Sequence, residues 1–196
     1  MRRRVGVRRS LSALTCVGVL LAAGCQSSDK ADGGDASGPF QSPGQGPDTG
    51  IVNANVAHTT DWSFGDYSGC FPGTPVPIEL KSMELLSPTG KVRIALTGVK
   101  VDDGRSGVSV MPGALPTGFG SLRTITQAEA DRMRCDGGDL VAQVAVTVSS
   151  TVHWEAKGMR LSYQAEGKSY IVDWKVRIVN CAPRGDTSEV CIKGTP

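Results

Sequence analysis

The groups through which this 196-residue chain could do chemistry are two histidines, six cysteines and nineteen carboxylates, and their spacing is restrictive. His58 and His153 lie far apart, and neither has a Cys, Asp or His at i+2 or i+4 that would open a metal pair. No G-x-S-x-G elbow occurs. Gly104-Arg105-Ser106-Gly107 has the wrong spacing and falls in a hairpin turn. Six Glu and thirteen Asp offer many carboxylates, but glycoside hydrolysis needs two that face each other, and most of the Asp fall in a linker or in turns. Asp136-Gly137-Gly138-Asp139 lacks the further oxygen ligands at fixed offsets that a calcium loop requires, and reads as a turn after a helix. Arg184-Gly185-Asp186 is an adhesive tripeptide, but also what a turn between strands favours. No catalytic residue, metal ligand or cofactor is therefore assigned. One cluster suits recognition instead. Trp62, Phe64, Tyr67 and Phe71, four of the ten aromatics, lie among Asp, Ser and Gly with no clean strand alternation. They form a candidate ligand patch able to stack on a sugar or grip a peptide. The competing expectation is a loop folding its rings over the open end of a domain.

The N-terminus says where the chain works. Met1–Arg9 is basic, and Leu11–Ala23 is an uncharged run too short for the ~20 residues that span a bilayer. It ends in Leu20-Leu21-Ala22-Ala23-Gly24-Cys25, which resembles the lipobox of bacterial lipoprotein signal peptides, with Ala22 where that family usually has Leu. The resemblance implies removal of residues 1–24 and lipidation of Cys25 by diacylglycerol, often with a further acyl chain such as palmitate. Two or more chains make a durable anchor where one is marginal. Arg8-Arg9-Ser10-Leu11 also resembles a twin-arginine export signal. The implied location is the outer face of the cell membrane.

Residues 25–50 continue as a linker rich in Gly, Ser, Pro and Asp, in which Phe40 is the only large apolar side chain. Such a stretch cannot bury enough surface to offset its ordering entropy, and the expectation is a flexible tether. Residues 51–196 then suffice for one domain. Overall the chain is 39% hydrophobic and 20% charged, an ordinary globular composition. Its formal charge of +2 includes five arginines in the first nine residues; without them 16 basic residues face 19 acidic ones. No basic stripe remains, and nucleic acid is not an expected partner.

With Cys16 in the leader and Cys25 lipidated, Cys70, Cys135, Cys181 and Cys191 remain. Their even number and the lack of a C-x-x-C point to two structural disulfides in an oxidising compartment. Bonded thiols also leave no Cys–His nucleophile. A Cys181–Cys191 pair closes the shorter loop at lower entropy cost, which leaves Cys70 for Cys135.

The elements that must position these residues are strands. Leu140, Ala142, Val144, Val146 and Val148 alternate with Val141, Gln143, Ala145, Thr147 and Ser149, the pattern of a half-buried strand. Met159, Leu161 and Tyr163 alternate likewise. Past Ala165-Glu166-Gly167-Lys168, so do Tyr170, Val172, Trp174, Val176 and Ile178; together they predict a hairpin running into one long strand. Phase slips predict β-bulges near Gly98 and between Leu80 and Met83. Thr126-Gln127-Ala128-Glu129, with Ile125 and Ala130 at staple positions, predicts one helix of two turns at most. Short alternating strands between Gly/Pro/Asp turns make an all-β, antiparallel, immunoglobulin-like sandwich the expected fold, with a closed barrel as alternative.

The final third, with Tyr163, Gly167, Tyr170 and Cys181, also resembles a recurrent ending among secreted and lipid-anchored proteins of high-GC actinobacteria, in which a hairpin leads into a last strand closed by a cysteine. That resemblance implies compartment and sandwich, and no activity. The functional expectation is a non-enzymatic module that binds a wall polymer, a small ligand or an envelope protein. The alternative is an extracytoplasmic hydrolase of wall or extracellular polymers.

Overall fold

The computed structural model describes residues 38–42, 51–54, 61–104 and 111–181. Residues 1–37, with Cys25, lie outside them, as do most of the remaining linker, His58, Ser106 and everything after Cys181, Arg184-Gly185-Asp186 and Cys191 included.

The strands are β1 (Ile51–Ala54), β2 (Asp61–Gly69), β3 (Ile78–Leu85), β4 (Arg93–Asp102), β5 (Met111–Pro112), β6 (Thr124–Ile125), β7 (Val141–Ser149), β8 (Trp154–Ala156), β9 (Met159–Ala165), β10 (Lys168–Trp174) and β11 (Ile178–Cys181); α1 is Gln127–Ala130. They form two four-stranded antiparallel sheets, β4-β7-β2-β5 and β10-β9-β3-β6, and a smaller β1-β11-β8 sheet whose β1–β11 pair is parallel. The fold is an all-β sandwich. One core joins the sheets: Val144, Val146 and Val148 of β7, Leu161 and Tyr163 of β9, and Trp154 and Ile178 of the small sheet belong to a single buried cluster.

The β9–β10 hairpin forms in the expected register, with Ala165 opposite Lys168. Glu166 (φ 48°) and Gly167 (φ 75°) make its turn, the two left-handed positions that match the strands' twist. The long strand expected beyond it is interrupted. After Trp174 the chain leaves one sheet, and β11 belongs to another. Alternation survives because Val172, Trp174, Val176 and Ile178 all join one core, although β11 itself is buried at every position. The bulge in β3 falls where expected, between Leu80 and Ser82. The one in β4 lies between Ile94 and Leu96, ahead of Gly98. α1 is a single turn with a full capping box: Thr126 accepts from the Glu129 N–H, and the Glu129 carboxylate accepts from the Thr126 N–H. A bidentate Arg123 grips the same carboxylate at 2.9 and 2.7 Å. That hydrogen bond, foremost, holds the Glu129 pKa down to about 2.

Strand β7 is not half-buried. Gln143, Ala145 and Thr147, on its outer face, are as enclosed as its inner valines. The segment after β5 explains this. It starts at the β2 edge, where the Gly113 N–H bonds the Asp61 carbonyl. It ends at the β4 edge, where Val99 and Gly120 exchange two backbone bonds of 2.8 and 3.1 Å. Between these points it crosses the sheet, and Leu115 and Phe119 lie against Gly98, the residue paired with Ala145.

The linker also departs from expectation, at residues 38–42. Gln41 and Cys70 form an antiparallel bridge through two 2.9 Å backbone bonds. The Phe40 ring is 1% exposed and meets Phe71 and Tyr163 edge-on, at 5.4 and 5.8 Å between centroids. The Tyr163 hydroxyl accepts from the Phe40 N–H and donates to the Phe40 carbonyl, both at 3.1 Å. Ring burial contributes about 1.5–3 kcal/mol, each edge contact roughly 0.5–1.5 and each hydrogen bond about 1. Ordering five backbone residues costs about 1–2 kcal/mol apiece. The two sums nearly cancel, so the segment docks with little in reserve.

Candidate functional site

The four aromatics of the candidate ligand patch are core. Trp62 is 3% exposed, Tyr67 1%, and Phe64 and Phe71 are fully enclosed. Phe64 packs edge-on against Trp154, and Tyr67 against Trp174. Their irregular spacing has a simple cause. The register of β2 on β7 shifts between Phe64 and Tyr67, so one extra residue separates two inward pairs and the strand reads as a loop. Trp174 fixes this region from the opposite sheet by donating its indole N–H to the Ser68 carbonyl at 3.1 Å.

Cys70 and Cys135 are bonded to each other, as expected. Cys181 is also in a disulfide, and Cys191, its expected partner, lies outside the described residues. Asp136 and Asp139 are engaged separately. Each takes a bidentate arginine, Arg134 at 2.9 and 2.8 Å and Arg132 at 3.0 and 2.6 Å, and these bonds lower both carboxyl pKa values. Among the described residues no group of three or more His, Cys, Asp or Glu is placed to hold a metal ion.

The concave feature richest in chemistry is a cleft of about 320 Å3. One wall is the β3–β4 turn, with Ser87 and Thr89; the floor is β8 and its exit, from Glu155 through the buried Ala156 to Lys157; the far wall is the β10–β11 link, with Lys175 and Arg177. Main-chain bonds hold the turn on the free edge of β8: Thr89 N–H to the Glu155 carbonyl at 2.8 Å, and Lys157 N–H to the Leu86 carbonyl at 2.8 Å. The link stands opposite because the chain changes sheets there, through a tight turn in which the Val176 N–H bonds the Trp174 carbonyl.

Within the cleft, Glu155 is committed. Arg177 donates to Oε2 at 3.0 Å, and His153 Nε2 lies 3.4 Å from Oε1. Lys157 and Lys175 are exposed and have no carboxylate partner among the described residues. A neighbouring cleft of about 350 Å3 opens between Lys91–Arg93 and Ser149–Thr151. The two share the β3–β4 connection, and together they present five cationic side chains (Lys91, Arg93, Lys157, Lys175, Arg177) against the one carboxylate.

No protein-family model matches the chain, and no curated protein matches it in sequence. The cleft was missed in the sequence because Lys175 and Arg177 sit at alternate positions of an unbroken period-two run. That pattern reads as the solvated face of one strand, whereas the residues form the joint between two sheets.

Proposed function

We propose that the protein is a lipid-anchored envelope protein whose β-sandwich binds an anionic group outside the cytoplasmic membrane, a phosphate or carboxylate on a wall polymer or small ligand, without catalysis. The observation that carries this is the charge of the paired clefts. Three cations line the cleft of a carboxylate already shared by Arg177 and His153, two more line the neighbouring cleft, and the Ser87 side chain adds a neutral hydroxyl to the lining. Ammonium groups on flexible stems, rather than a rigid fork, suit a repeating anion read as point charge. A hydrolase would instead place a second carboxylate about 5–10 Å from Glu155; this cleft has no other acid in its lining.

Co-sedimentation of the full chain with isolated envelope polymer tests the reading. Lys157→Glu with Lys175→Glu should lower retention at least tenfold, and raising salt from 50 to 300 mM should do the same to the unaltered protein. The melting temperature should hold, since both side chains are exposed. Retention indifferent to salt and to charge reversal refutes the cleft. In the same preparation Cys25→Ala should move the protein out of the detergent phase; an unchanged partition refutes the anchor.

A further inference from the structure

The socket that receives Phe40 is cut closely to its occupant. Gly69 lies beneath the ring and Gly38 lies against Tyr163 and Tyr170, and a β-carbon at either position would collide with those side chains. The seat therefore accepts a thin backbone carrying one aromatic ring. Its floor is stiff. Cys70 is bridged to Cys135, and Phe71 is bonded on one side to the Met133 carbonyl and on the other to the Cys135 N–H. What the seat recognises is mostly main chain. The Tyr163 hydroxyl reads both the N–H and the carbonyl of Phe40, and Cys70 reads both main-chain groups of Gln41. Main-chain pairing at an edge plus one side-chain pocket is the chemistry of β-strand addition.

We propose that this seat is a peptide-binding site for a Gly-Pro-Phe-polar segment of a partner polypeptide, and that the linker fills it in cis as a built-in competitor. The sequence of the present occupant states the ligand chemistry: Gly38 where a side chain would clash, Pro39 half-exposed at a bend, Phe40 in the pocket, Gln41 on the edge. None of the contacts is covalent or ionic, so the occupant is exchangeable. The proposal is independent of the cationic clefts.

The probe is a fluorescein-labelled nonapeptide of residues 36–44, Ala-Ser-Gly-Pro-Phe-Gln-Ser-Pro-Gly, titrated with the full chain and followed by anisotropy. Phe40→Ala empties the pocket, and the apparent Kd should fall about threefold relative to the unaltered chain, whose own linker holds the seat by a small margin. A second variant, Gln41→Pro, removes the N–H that Cys70 accepts and should act in the same direction. Adding Gly69→Ala to Phe40→Ala should abolish binding, as should replacing Phe by Ala in the peptide. Equal binding by the unaltered chain and both variants, or binding indifferent to the peptide's Phe, overturns the proposal. So does loss of cooperative unfolding in both variants, which makes the segment part of the fold. Concentration-dependent dimers of the unaltered chain would assign the seat to a second copy and overturn the partner reading.

Discussion

Strands β7 and β9 carry nearly the same pattern and have different fates. Each is an inner strand of a four-stranded sheet, and each presents every second side chain to the common core. Along β9 the burial alternates as the sequence does, with Arg160, Ser162 and Gln164 facing outward and in contact with solvent. Along β7 it does not, because the chain from Gly113 to Gly120 crosses its outer face. Period two tells which residues share a face. Whether the second face is also covered depends on a segment thirty residues away. The one local trace is size: β7 offers Ala145 and Thr147 under the crossing, with Gly98 beside them, and β9 offers Arg and Gln.

Charge on the outer faces breaks the comparison most sharply. Thr147→Arg puts an unpaired guanidinium where Thr147 now shares a 2.8 Å hydroxyl contact with Ser63, and should cost about 3–5 kcal/mol, the scale of an uncompensated buried charge. Ser162→Arg on β9 should stay within about 0.5 kcal/mol. Urea midpoints of the two variants decide it; equal losses would mean that the covering segment does not shield β7.

A smaller effect of opposite sign sharpens the same point. Neither amide atom of Gln143 has a hydrogen-bond partner among the described residues, and the side chain is fully buried. Gln143→Leu should therefore stabilise by about 1–2 kcal/mol through removal of an unsatisfied group. The matching Gln164→Leu on exposed β9 should change the midpoint little. A destabilised Gln143→Leu would show that the amide is satisfied in solution.

The smallest effect concerns the passage between the sheets, where Arg123 and Glu129 clasp the chain ahead of α1. Glu129 titrates at about 2 when folded, against an ordinary value of 4.5. A depressed folded pKa adds stability above the unfolded value, lost as pH falls from about 4.5 to 2. Because Arg123 is 44% exposed, screening keeps the contribution below about 1 kcal/mol. Glu129→Gln should flatten that part of the stability–pH curve and leave the rest intact; an unaltered slope would remove the clasp from the account.

The fold class was legible because alternation, turn residues and the capping box act locally. Thr126–Glu129, the Glu166–Gly167 turn and the Cys70–Cys135 pair are all decided within a few residues or by counting. The site was not. The Trp62–Phe71 stretch looked like a loop because one bulged residue shifts the phase between two correct halves. The Lys175–Arg177 joint looked like strand because changing sheets leaves parity untouched. Phe40 stood out as the lone large apolar residue of its linker, but its destination depends on a gap left by Gly69, and a glycine announces no pocket.

The seating of Phe40 also has a mechanical meaning. A pull applied upstream of Gly38, as an anchor at Cys25 would apply, loads the Gln41–Cys70 bridge before it loads β1. Two bridge bonds, two bonds to the Tyr163 hydroxyl and one ring resist there, whereas β1 is paired to β11 along its four residues. The segment should yield first and pay out residues 38–50. At ~3.3–3.6 Å per extended residue this is ~43–47 Å of chain, less the span it already bridges. The seated linker is thus stored slack, a fuse between any such anchor and the sandwich that gives way while the core is still unstrained.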